Sequence, residues 1–299
     1  MRPAALSGVF APLTTPFDPE TGDVAPLLLR QEARDLLAAG LDGVVVAGSA
    51  GEAALLDEAE KVRAVEWLRD VVPEDRWLIA GTGAESTRAS VRLALAAASA
   101  GADAVLVRPP SYFSILLSPS AFADHYRRVA DASPVPVIVY NIPKFSHVML
   151  QDSTMRALAD HERIAGFKDG SGDLKVFAGF QAAMPRAVAL VGAGALLYPA
   201  LEMGAAGGVL GVACFAPAVC VELLAAFRAG DMVTAGALQE RLAPLHKEIV
   251  AALGSPGIKA AMDAVGLPGG PVRAPLQPVN TKQRTRIAEL VAAAGIAAA

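Results

Sequence analysis

Short runs of apolar, mostly β-branched residues recur along the chain at 9–13, 43–47, 77–80, 104–107, 136–140, 164–167, 187–191 and 208–212. Each run is too short for a buried helix and is bounded by Gly, Pro or charged residues, which is the signature of a buried strand. Between the runs lie segments in which apolar positions return every three or four residues, as at 26–39, 57–71, 86–100 and 120–132. Asp57 and Ser118 stand where helix N-caps belong, and Gly40 and Gly101 where helices close. Strand and helix in strict alternation force parallel pairing, because the return path of each crossover is a helix. Eight such units predict a closed (β/α)8 barrel, in which strand ends at one rim carry the chemistry. A doubly wound sheet is the competing architecture, but it places a glycine-rich phosphate loop after the first strand, and residues 11–16 read APLTTP.

Residues beyond the eighth run exceed what one closing helix uses. Helical stretches are expected at 217–228, 231–253, 258–265 and 281–293, with a turn-rich segment at 266–278. The division that follows is a barrel over residues 1–228 and a C-terminal helical extension over 229–299.

Composition narrows the class of function. Of 299 residues, 54% are hydrophobic and 19% charged, ample for a large core and unlike a disordered chain. A net charge of −4 gives no basic field for a phosphate backbone, so nucleic acid is not an expected partner. No apolar stretch reaches the roughly 20 residues of a membrane span, and the opening MRPAALSGVF lacks a signal-peptide core. A cytoplasmic protein is expected. Cys214 and Cys220 read as small buried hydrophobes. His125, His147, His161 and His246 are scattered without a carboxylate cluster, so neither a metal nor another cofactor is expected.

Candidate chemistry sits where runs end. Lys168 closes the sixth run ahead of the turn Asp169-Gly170-Ser171-Gly172-Asp173. An amine there is protonated in water but moves toward neutrality as it is desolvated, and a neutral amine attacks a ketone to form a Schiff base. Tyr140 closes the fifth run, where a phenol can relay protons. After the second run, Gly48-Ser49-Ala50-Gly51-Glu52 offers backbone N–H groups, and the Ser49 hydroxyl, to an anion such as a carboxylate. After the fourth, residues 108–113 form an aromatic-bearing loop. Amine, phenol and amide cradle together describe metal-free processing of a 2-oxo acid. The bland alternatives are a surface lysine, a structural tyrosine and an ordinary glycine turn.

With GSAGE at 48–52, YNIP at 140–143, GFKDGSGD at 166–173 and GLPGGPVRAPLQPV at 266–279, the chain resembles the dihydrodipicolinate synthase and N-acetylneuraminate lyase family over nearly its whole length. That resemblance implies a class I enzyme of (β/α)8 fold, a homo-oligomer (dimer or tetramer), acting on pyruvate or another 2-oxo acid. By position it implies Lys168 as the Schiff-base lysine and Tyr140 as the proton relay. Gly48, Ser49 and Ala50 would hold the substrate carboxylate, and Tyr112 would be lent to the neighbouring subunit's site. Ser171 becomes a candidate substrate contact through its similarity to the KDSSGD pattern of 2-oxo-3-deoxy sugar acid and hydroxyoxoglutarate aldolases.

Departures from the pattern shape the expected reaction. Phe145 stands where dihydrodipicolinate synthases typically place an arginine that grips the aldehyde's carboxylate, and a phenyl ring makes no bidentate ion pair. Ile115, Leu116 and Leu117 suggest an apolar entrance, and Arg108, Lys144 and His147 are candidates for the distal pocket. The expected activity is therefore a pyruvate-type aldolase on a 4-hydroxy-2-oxo acid. A dehydratase of a 2-oxo-3-deoxy sugar acid, 4-hydroxy-tetrahydrodipicolinate synthase, and a catalytically idle barrel that binds a 2-oxo acid are the alternatives.

Overall fold

A computed structural model describes residues 5–296. Eight strands, β1 (Gly8–Pro12), β2 (Gly43–Val46), β3 (Trp77–Gly81), β4 (Ala104–Val107), β5 (Val137–Asn141), β6 (Ile164–Asp169), β7 (Val188–Val191) and β8 (Gly207–Val209), close into one parallel barrel in sequence order. Helices α1 (Pro26–Ala38), α2 (Glu58–Arg69), α3 (Thr87–Ser99) and α4 (Pro119–Ala132) follow the first four strands. After β5 come α5 (Pro143–Ser146) and α6 (Asp152–Leu158), then α7 (Leu174–Ala183), α8 (Leu197–Glu202) and α9 (Pro217–Arg228). The chain continues through α10 (Met232–Leu245), α11 (Ala252–Ala264) and α12 (Thr281–Ala293).

The strands read as near-continuous apolar runs because both faces are buried. Phe10, Val45, Ile79, Leu106, Ile138, Leu190 and Val209 point inward and fill the barrel. Their neighbours Val9, Ala11, Val44, Val46, Val105, Val107, Val139 and Phe167 point outward into the layer beneath the helices. This period of two fixes the side chains that matter: outward Val139 and Phe167 put Tyr140 and Lys168 inside. Gly166 lets β6 approach β7 closely, since a β-carbon there would lie 2.2 Å from the Val188 carbonyl oxygen.

Helix starts follow the local chemistry. Asp57 accepts from the Glu60 N–H while Glu60 returns to the Asp57 N–H, a complete capping box for α2, and the Ser118 hydroxyl accepts from the Ala121 N–H to open α4. Gly40 and Gly101 close their helices at φ 97° and 104°.

Two expectations are corrected. The eighth strand ends at Val209 rather than 212, because residues Gly211–Cys214 wind into a 3₁₀ turn. The helix expected over 231–253 is instead α10, a π-helical stretch His246–Ala251, and the start of α11. Pro244 lacks the N–H that an α-helical turn requires, and the ladder widens just after it. Gly254 then breaks α11 with φ 63°, ψ −145°, a conformation open to glycine. Cys214 and Cys220 are buried thiols, as expected.

Candidate active site

Tyr140 and Lys168 are direct partners in the β5–β6 register, both on the barrel interior at its carboxyl-terminal rim. Lys168 is 5% exposed, and its Nζ lies 4.1 Å from the centroid of the Tyr140 ring. No carboxylate pairs with it among the described residues. Gly192 makes room for it: a β-carbon there would come within 3.2 Å of Lys168 Cε.

The strand alternation that turns Lys168 inward turns Asp169 outward, where its carboxylate accepts from Asn141 Nδ2 at 2.7 Å and from the Ser171 hydroxyl at 2.6 Å. Burial pushes the Asp169 carboxyl up, and those hydrogen bonds pull it back. The Gly170 N–H donates to the Asn141 carbonyl and the Gly192 N–H to the Asp169 carbonyl. The rim of β5, β6 and β7 is thereby stitched around the lysine. Ser171 lines the same cavity, but its proton is committed to Asp169, leaving an oxygen that already accepts from the Asp173 N–H at 3.2 Å.

Two adjoining cavities occupy the barrel mouth. The smaller, about 180 Å³, is lined by Lys168, Tyr140, Ser49, Ala50, Ser171 and Phe145 among others. The larger, about 470 Å³, is lined by Gly48, Arg108, Lys61, Glu85 and Ser111, and it shares Ser49, Tyr140 and Phe145 with the smaller one. The loop 48–52 is turned by left-handed backbone at Ala47 (φ 52°) and Glu52 (φ 56°), the kind of reversal that gathers N–H groups on one side. Beneath it Glu52 is buried against Lys259 at 2.7 Å, and the Arg273 N–H donates to its other oxygen at 2.8 Å. Burial pulls the Lys259 ammonium down, and Glu52 pulls it up.

Residues 246–258 roof the mouth. His246, Val250, Ala251, Gly254, Ser255 and Ile258 line the smaller cavity, and the Ser255 hydroxyl donates to the Ser49 carbonyl at 3.0 Å. The sequence signal for this roof was the break Gly254-Ser255-Pro256, which marks a turn but not what the turn faces. Lys144 reaches the same roof, donating a hydrogen bond to the Ala251 carbonyl.

Of the residues singled out by sequence, Lys168, Tyr140, Gly48, Ser49, Ala50, Ser171 and Phe145 converge on this mouth. Tyr112 does not: it is 80% exposed, stacks edge-on against Phe113 and lines neither cavity. Its loop is held by Glu85, whose carboxylate accepts from the Ser111 and Tyr112 N–H groups and pairs with Arg108 at 2.9 Å. Burial raises the Glu85 carboxyl, but those bonds outweigh it and bring it down to about 2. His147 lines neither cavity, and the expected apolar entrance is also corrected, because Ile115, Leu116 and Leu117 lie away from both. Ile115 is 94% exposed on a 3₁₀ turn that carries it outward.

The profile of the "Dihydrodipicolinate synthetase family" matches residues 5–294. The chain is 41% identical over 269 residues to "4-hydroxy-tetrahydrodipicolinate synthase 1" of Streptomyces coelicolor, covering 88% of this chain and 85% of that one. It is 37% identical over 285 residues to an uncharacterized DapA-like lyase of Halobacterium salinarum, covering 95% and 93%. Among solved structures it is similar to YagE of E. coli K12, determined in complex with pyruvate, with a TM-score of 0.92, 26% identity and coverage of 98% and 100%.

Proposed function

The chain belongs to the dihydrodipicolinate synthetase family and is a lyase of that family, and on that premise we propose that it cleaves or forms the C3–C4 bond of a 4-hydroxy-2-oxo acid through a Schiff base on Lys168. The observation that carries the reading is an amine, enclosed, without a carboxylate partner, laid against a tyrosine ring at the mouth of the barrel.

In the proposed sequence the Lys168 amine adds to the C2 ketone and the carbinolamine loses water. The iminium then draws in the electrons of the breaking C3–C4 bond while the 4-hydroxyl loses its proton and an aldehyde departs. The remaining enamine is protonated at C3, and hydrolysis frees pyruvate and the amine. Tyr140, which lines both cavities, is the group within the site suited to carry these protons, a role worth roughly 10²- to 10⁴-fold. The loop at Gly48, Ser49 and Ala50 would hold the C1 carboxylate, and no step needs a metal. In this reading Tyr112 serves a neighbouring copy's site.

The name of the Streptomyces relative favours a second reading, 4-hydroxy-tetrahydrodipicolinate synthesis by the same Schiff base. Phe145 speaks against it, because its ring lies beside both cavities where a guanidinium would be needed. Dehydration, in which C3 gives up a proton and C4 its hydroxyl as water, is the third outcome, distinguished by an unsaturated or deoxygenated oxo acid in place of an aldehyde.

Borohydride reduction in the presence of pyruvate tests the common step. A pyruvate-derived mass is expected on Lys168, and Lys168→Ala is expected to lose activity. An unmodified Lys168 in folded protein, or full activity in the alanine variant, overturns the reading.

A further inference from the structure

Most polar side chains around the smaller cavity already have a task. Lys168, Tyr140 and Ser49 serve the C2 ketone, the proton relay and the C1 carboxylate in the proposed reaction. Ser171 donates to Asp169, Ser255 to the Ser49 carbonyl, and the exposed Lys144 to the Ala251 carbonyl. Among the polar side chains lining this cavity, His246 is left over. Its Nδ1 accepts from the Gly194 N–H at 3.2 Å. A backbone N–H can only donate, so the ring proton sits on Nε2, and Nε2 has no partner among the described residues.

The ring is held from both sides of one peptide. Gln239, about two helical turns before His246 and on the same face, donates to the Gly194 carbonyl at 3.0 Å and accepts from the Tyr198 N–H at 2.7 Å. Gly194 continues from Gly192, whose β-carbon, were there one, would meet Lys168 Cε. Lys168 partners Tyr140 of β5 on one side and Leu190 of β7 on the other. The lysine is therefore flanked by a phenol from β5 and by an imidazole hung from the loop after β7. His246 also begins the π-helical turn of the roof, and such widened turns recur at functional sites. Burial, then the charges of Lys144 and Lys247, pulls the imidazole down to about 4, so at neutral pH it is an uncharged donor that keeps its proton.

Once the iminium has formed, the C2 oxygen has left as water and the loop at Ser49 and Ala50 faces the C1 carboxylate. The oxygen still without a donor is the one on C4. We propose that the His246 Nε2–H donates to this C4 oxygen and polarises the aldehyde carbonyl as the C3–C4 bond forms or breaks, which makes His246 a catalytic residue of the carbon–carbon step alone. The proposal rests on the reading that Lys168 holds the oxo acid. In the forming direction the enamine C3 adds to the carbonyl carbon, the C=O π pair moves onto oxygen, and Tyr140 supplies the proton while His246 retains its own. A fixed donor aimed where negative charge develops lowers the barrier without any change in its own charge.

Two reactions of the same protein separate this step from those before it. Exchange of the pyruvate C3 protons for deuterium in heavy water, followed by NMR, needs only the Schiff base and its enamine. Addition of pyruvate to glycolaldehyde, glyceraldehyde or glyoxylate needs the C4 step as well. Both are measured on the parent, on His246→Asn, whose amide oxygen can still accept from the Gly194 N–H but whose reach stops short of the Nε2 position, and on His246→Gln, whose amide extends to it. The asparagine variant is expected to exchange pyruvate protons within about threefold of the parent, with an unchanged KM for pyruvate, and to lose about 10²-fold in kcat for addition. The glutamine variant is expected to recover most of that loss. Equal losses in exchange and addition, a raised KM for pyruvate, full addition activity in the asparagine variant, or a parent that exchanges but adds to none of the three aldehydes overturns the proposal. A parent that neither exchanges nor is trapped by borohydride on Lys168 shows instead that the underlying Schiff-base reading has failed.

Discussion

Replacing Lys259 by methionine is expected to destabilise the protein strongly although the residue touches no solvent and no substrate. Its ammonium donates to the Thr15 carbonyl at 2.7 Å and the Pro271 carbonyl at 2.6 Å and forms an ion pair with Glu52 Oε1 at 2.7 Å, with the Phe17 ring 4.5 Å away. Both side chains of the ion pair are essentially sealed, at 2% and 0% exposure. Methionine fills similar volume, so little of the effect comes from a cavity. What remains is a buried carboxylate held by one backbone N–H, plus two carbonyls without donors. Breaking a buried pair from one side costs about 3–5 kcal/mol, and about 4 is a fair central figure once the protein relaxes around the orphaned carbonyls. At about 2 cal/mol/K per residue, unfolding a chain of this length carries an entropy near 0.6 kcal/mol/K, so the expected drop in Tm is about 6–7 °C. The assay is thermal unfolding by circular dichroism at one fixed scan rate. Glu52→Gln placed on top of Lys259→Met removes the orphaned charge and is expected to recover part of the loss, a coupling of about 1–3 kcal/mol. A Tm within about 2 °C of the parent for Lys259→Met, or no recovery in the double variant, refutes the reasoning that this pair anchors the 48–52 loop.

Further outcomes follow from other sites. Glu32, buried, with the Thr14 N–H and hydroxyl each donating to it at 2.9 Å, has its carboxyl pushed by burial from about 4.5 to about 7. Because the folded value is the higher, the stability it contributes is full below about 4.5 and is lost as pH climbs through about 7, on the order of 3 kcal/mol in all. Chemical denaturation of the parent and of Glu32→Gln at pH 5 and pH 8 should show the parent losing ground to the variant at the higher pH, and parallel curves would contradict this. If Tyr112 serves a neighbouring copy, Lys168→Ala and Tyr112→Phe proteins, each poorly active, should regain activity when mixed and allowed to exchange subunits. No recovery in verified hybrids rules the shared tyrosine out.

The alternation of eight short apolar runs with helical segments made the barrel legible, since an apolar strand flanked by helices on one side and a filled interior on the other leaves few alternatives. Lys168 and Tyr140 were legible because each closes such a run at the rim, and in the structure the outward Phe167 and Val139 leave both facing inward. Ser171 was read only in part. The spacing Asp169-Gly170-Ser171 lets the hydroxyl turn back on the carboxylate two residues earlier, a local bond that competes with any substrate. The pairing of Glu52 with Lys259 and the roof over residues 246–258 were hidden for a different reason. They join segments distant in the chain through one buried charge and one widened helical turn, and hydrophobic periodicity carries no trace of either. Glu85 escaped notice because an acidic residue just before a helix also serves as an ordinary surface group.

The bond from Lys144 to the Ala251 carbonyl spans two segments that no strand ladder connects. Grafting the final helices of a relative onto this barrel would therefore bring with it a foreign ceiling. Such chimaeras should inherit their choice of aldehyde from the donor of the ceiling as much as from the donor of the lysine, so substrate range here can evolve by changes far from the reacting carbon.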